Sequence, residues 1–151
     1  KCIKKNKGDA VSDENVGGIH WSFWVIGSVA LVWNVMGAIN FIVQMNPDAL
    51  NVYRESERMI IEGRPIWATV GFAIAVFGGS LGCFLLLLKK SAACYLFIAS
   101  LLGVIVTMIN TLGIGIEFGI GEILGIVLMP VVVAVFLIWY SKLTERKGWI
   151  R

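Results

Sequence analysis

The sequence predicts an all-α integral membrane protein, a bundle of four transmembrane helices with a short amphipathic helix in its first outer loop. Two observations carry this. Of 151 residues, 58% are apolar and 15% charged, against about 45–50% and about 25% in soluble domains, and a globule of this size lacks the interior to hide so much hydrocarbon. Four uncharged apolar stretches each reach the roughly 20 residues that cross a bilayer core as a helix. The lipid bilayer is therefore the main partner. A secreted disulfide scaffold, a disordered tail and a nucleic-acid binder are excluded.

Residues 1–19 form a polar N-terminal tail. The transmembrane domain, 20–140, begins with a span at about 20–44, His20 to Gln44, which is too long for a signal peptide and lacks a small-residue cleavage site. The second span, about 66–88, closes on Lys89 and Lys90. The third, about 91–112, follows at once, so the two form a tight antiparallel hairpin. The fourth covers about 120–140, and 141–151 is a charged C-terminal tail. Basic residues sort unevenly across these spans. Lys1, Lys4, Lys5, Lys7, Lys89, Lys90, Lys142, Arg146, Lys147 and Arg151 fall on one side, and only Arg54, Arg58 and Arg64 on the other. The excess of Lys and Arg marks the cytoplasmic side, which predicts a membrane protein with both termini cytoplasmic. Cys2, Cys83 and Cys94 then lie toward a reducing compartment, with no disulfide expected.

Small and polar residues at helical spacing mark helix contacts in lipid. In the second span Gly71, Ala75, Gly79 and Cys83 recur every fourth residue, with Gly78 and Gly82 as a GxxxG alongside. The third span carries Ser100, Gly103, Thr107 and Asn110, and the first Ala30, Asn34, Gly37 and Phe41. The fourth has only Gly125 and the kinking Pro130 in a run of aliphatic residues. Trp21, Trp24, Trp67, Trp139 and Tyr140 fall where aromatic belts form, whereas Trp33 lies within a span.

In the first outer loop, Asn46-Pro47-Asp48 signals a turn, and 49–62 lacks Gly and Pro. A short helix there alternates Leu50, Tyr53, Met59, Ile60 and Ile61 with charge, as a membrane-surface cap or a substrate lid would. The third loop, 113–122, has four glycines, Glu117 and Glu122, and no cation. Carboxylates are costly in lipid, so these two belong at the interface or in a wet cavity. Either the loop is a plain outer turn, or Glu117 or Glu122 takes a cation or proton near Asn110.

Trp33-Asn34-x-x-Gly37, Pro65-x-Trp67-Ala68-Thr69, the helix-two run from Ala73 to Cys83 and the ending Trp139-Tyr-Ser-Lys resemble a family of small bacterial four-helix membrane proteins often labelled "sugar transporter". The resemblance covers about residues 20–149 and implies small-solute transport. More distantly, Gly78-Gly79, Lys89-Lys90 and Ala92-Ala93 are similar to the pattern of DoxX-like proteins, although Val76-Phe77 stands where those commonly place a Glu.

No Ser-His-Asp constellation, phosphate loop or metal-ligand spacing is present, so no enzyme activity, catalytic residue, metal or cofactor is expected. Two readings of function remain. In the first, Asn34, Asn40, Gln44, Thr107 and Asn110 line a polar path for a small, sugar-like solute, with Glu117 or Glu122 at its outer mouth. Four helices are few for alternating access, which commonly uses paired repeats, so such a transporter would be a homo-oligomer. In the second, the same residues bond between helices and the chain is an accessory subunit of a larger membrane complex.

Overall fold

The computed structural model describes residues 19–114 and 119–150, and their regular structure is entirely helical. Four helices are long and apolar enough to span a membrane, so the chain is a multi-pass membrane protein. Helix α1 is Trp21–Gln44, α2 is Glu55–Glu62, α3 is Ile66–Leu87 and α4 is Ala93–Gly113. The fourth span opens as a single turn, α5 (Ile120–Glu122), widens into a π-helical stretch, Ile123–Leu128, and continues as α6 (Met129–Arg146). The start of α1, the α3–α4 turn and the end of α6 lie at one end of the bundle, the tail end, and α2 with the last turn of α4 lies at the opposite, loop end.

Local chemistry sets the helix limits. His20 caps α1 by accepting the Ser22 amide on Nδ1 at 3.3 Å, which satisfies one of the donors every helix start leaves open. The α3–α4 hairpin turns in three steps: the Lys89 amide bonds to the Leu86 carbonyl, the Lys90 amide reaches back to Leu85, and Lys89 adopts a left-handed φ of 62°. Gly148 plays the same part after α6, with φ 69°. The fourth span therefore stays helical beyond Tyr140, taking Lys142 and Arg146 into its last turns. Pro130 has no amide hydrogen for the Ile126 carbonyl, and its ring crowds that oxygen. The π-helical stretch ends just before it.

In the first loop the chain forms a 3-10 turn, Pro47–Val52, capped by Asn46, and then α2 as a separate element. The continuous helix anticipated over 49–62 breaks at Tyr53 and Arg54, both extended. The Glu57 carboxylate accepts the Arg54 amide at 3.4 Å, closing the start of α2.

The four spans pack in sequence order. Helix α3 lies most extensively against α4, α1 packs on α3, and α6 packs on α4, whereas α1 and α6 share little direct contact. Backbones approach closely because the interfaces are glycine-rich. A Cβ on Gly103 would strike the backbone of Gly71 and Ala75, one on Gly71 would meet Val106, and one on Gly82 would meet the Phe97 ring at 2.6 Å. Gly79 is filled by the Asn34 side chain from α1, and Gly78 sits beside Leu96 and Ser100. Ser100 bridges to α3 by donating to the Ala75 carbonyl at 2.6 Å while fully inside the protein. Such bonds in lipid contribute on average about 0.6 kcal/mol.

The apolar core sits at the tail end. Phe23, Ala30, Cys83, Leu86, Ala93, Phe97, Leu137, Tyr140 and Ile150 form one cluster, drawn from all four spans and the segment after α6. Cys83 and Cys94 are buried as free thiols. Outside this cluster the spans turn their hydrocarbon outward: Val29, Val32, Met36 and Ile39 on α1, and Val132, Val135 and Trp139 on α6, are all exposed. Lipid is the solvent that such a surface requires.

Candidate functional site

Toward the loop end the bundle does not close. Because α1 and α6 share little direct contact, a cavity of about 600 Å³ lies between them, lined also by residues of α3, α4 and α2. Its floor includes Phe97 and Leu137, which also belong to the tail-end core. Trp33, Phe72, Val76, Val104 and Val133 contribute apolar wall, and Pro130 with Gly125 to Val127 brings the widened turn of the fourth span to its surface. A more open depression, lined by Arg54, Glu57, Gly119, Gly121, Gly125 and Ile126, shares three of these residues with the cavity and adjoins it at the loop end.

The polar lining comes from three elements. On α1, Asn34, Asn40 and Gln44 face the cavity. Asn34 donates to the Ala30 carbonyl at 2.8 Å and also lies 3.6 Å from the Cys83 thiol. Asn40 Oδ1 accepts the Tyr53 hydroxyl at 2.6 Å, and Gln44 Oε1 accepts Arg64 Nη2 at 2.8 Å. One helical turn apart, these two amides therefore fasten the first loop to α1. On α4, Ser100, Thr107 and Thr111 line the space. Thr107 gives its hydroxyl hydrogen to the Gly103 carbonyl at 2.9 Å, which leaves its oxygen lone pairs for a visitor.

Arg64 and Glu57 bring charge to the roof. The Arg64 guanidinium carbon stands 4.8 Å from the centre of the Phe72 ring, a cation–π contact. Burial pushes its pKa below the ordinary arginine value, yet an arginine remains charged at neutral pH.

The residues singled out from sequence thus divide. Asn34, Asn40, Gln44 and Thr107 share the cavity. Asn110 is buried at 8% exposure outside its lining, and its amide nitrogen has no partner among the described residues. Glu117 lies outside the described residues. Glu122 belongs to α5. Tyr53, Glu57, Arg64, Phe72 and Thr111 were not singled out as site residues, because each reads locally as loop, cap or wall. A usable signal was present in Gln44 and Arg64: two polar residues flank the two ends of one loop, where antiparallel spans bring them together. Among the described residues, no group of three or more His, Cys, Asp or Glu is placed to hold a metal.

No family profile, curated protein or solved structure matches this chain. The site therefore has to be read from its own chemistry.

Proposed function

We propose that this protein is a small-solute carrier of the bacterial inner membrane, with its tails in the cytoplasm and its cavity facing the loop side. The observation that supports this is the cavity itself. Its volume falls within the roughly 300–1,000 Å³ of small-molecule sites, and amides and hydroxyls alternate in it with aromatic walls. That combination suits a compact, polyhydroxylated or similarly polar molecule. The tail-end core seals the opposite end, so passage requires α1 and α6 to move relative to α3 and α4, and a homo-oligomer would brace that motion.

Uptake by proteoliposomes tests the reading. Loaded with the purified chain, they are expected to accumulate a radiolabelled sugar or sugar derivative from a solute panel. Val104→Trp, which puts an indole into the cavity, should reduce uptake at least about tenfold, since overpacking costs about 1–3 kcal/mol and about 1.4 kcal/mol is tenfold. Protein yield should be unchanged. Absence of uptake across the panel would sink the proposal.

The slight contact between α1 and α6 favours a second reading, in which a helix of a larger membrane complex docks along that seam and this chain is its accessory subunit. Purification in mild detergent would then bring down a stoichiometric partner, and a single monodisperse species would count against it.

A further inference from the structure

The cavity roof contains a cation with hydrogen-bonding capacity left open among the described residues. Arg64 lines the cavity and spends Nη2 on Gln44, whereas its Nε and Nη1, covered in this structure, find no acceptor among the described residues, so a ligand oxygen meets them once the guanidinium tilts toward the cavity. Among the described residues, neither neighbouring carboxylate is hydrogen-bonded to Arg64, although Glu57 shares the roof with it. Glu57 accepts the Arg54 backbone amide at 3.4 Å, and Glu62 pairs with Arg58 at 3.4 Å. Buried donors left open carry a free-energy cost, and a buried charge carries more unless a counter-charge meets it. A neutral solute would offer Arg64 acceptors without charge. Carboxylate and phosphate oxygens offer both, in the geometry that a planar guanidinium binds best. Phe72, stacked on the guanidinium, and Gln44, bonded to it, hold that group in place at the roof, above the walls made by Trp33 and Val76.

We propose that Arg64 is the docking point for an oxyanion, a carboxylate or phosphate group on the molecule that the cavity takes. The ligand is then an acidic solute such as a sugar acid or sugar phosphate, or an anionic lipid whose headgroup enters at the loop end. This rests on reading the cavity as a solute site and narrows that reading to a charge class.

Calorimetry on the full chain in phosphatidylcholine nanodiscs, with glucuronate, inorganic phosphate and glucose as probes, tests it. Glucuronate or phosphate should bind at least about tenfold more tightly than glucose, the order expected for a charge-assisted hydrogen bond. Arg64→Gln should erase that preference. Gln44→Glu gives Arg64 an internal carboxylate without removing the cation, and should erase it too, in a chain that remains folded. In a second arm, nanodiscs containing phosphatidylglycerol are examined by native mass spectrometry. Retention of that lipid by the original chain, lost in Arg64→Gln, would support the same docking point with a lipid as its source. Equal binding of glucose and glucuronate, unaffected by either substitution, would overturn the oxyanion site while leaving the cavity as a solute site. Failure of all three probes to bind, with no phosphatidylglycerol retained, would overturn both.

Discussion

Lys89 and Gly148 occupy equivalent places, each ending a spanning helix in a left-handed turn that satisfies the last carbonyls. Glycine adopts that conformation freely, whereas a residue with a Cβ is strained there by about 1–2 kcal/mol. Lys89 recovers part of this through its ammonium, 5.7 Å from the Trp24 ring, a contact worth about 0.5–1 kcal/mol at an exposed site. Lys89→Gly is therefore expected to raise stability by about 0.5–1 kcal/mol, read as a higher midpoint in SDS titration of the detergent-solubilised protein. A lower midpoint would show that the cation matters more than the turn. Lysine pairs such as this one advertise topology in a sequence. The positive φ beneath one of them is a matter of turn geometry and leaves no compositional trace.

At the scale of elements, the α3–α4 interface depends on glycines that differ in what surrounds them. A Cβ on Gly103 would meet the α3 backbone, whereas one on Gly113, at the end of α4, meets nothing within 4 Å among the described residues. Gly103→Val should cost at least about 1–3 kcal/mol, as overpacking does in a core that cannot shift. Gly113→Ala should be neutral or gain up to about 1 kcal/mol through helix propensity. Thermal unfolding of the two variants side by side checks this, and equal effects would argue against backbone contact between α3 and α4. The second span's small-residue stripe is readable as a contact face from its spacing alone. Which partner each glycine meets is not, since Gly79 faces Asn34 on one neighbour and Gly71 faces Gly103 on another. Similarly, Pro130 announces a disturbance in the fourth span, but only the fold shows that the widened turn borders a cavity.

For the whole molecule, the charge count predicts an orientation that labelling can test. In a Cys2→Ser background, Ser56→Cys in α2 should react with a membrane-impermeant maleimide in intact cells. Ser12→Cys in the tail should react only after permeabilisation. The reverse pattern would invert the topology and, with it, the side from which the cavity is entered. Cys83 and Cys94 are buried and should stay silent in both conditions.

The sequence by itself determined the solvent, the four spans and the tight hairpin between the second and third. Span length, absence of charge and clustering of lysines act along the chain, and the bilayer converts them directly into helices. The site was legible only in part. Asn34, Asn40 and Thr107 stood out as polar residues in apolar runs, whereas Arg64 read as one more basic residue in a loop. Only the tertiary structure decided that α1 and α6 share one core at the tail end yet make little direct contact with each other, which leaves the cavity between them with Arg64 at its roof. Whether two helices meet or part depends on contacts summed along both of them and on the core that pins one end, and no local pattern in either helix records that sum.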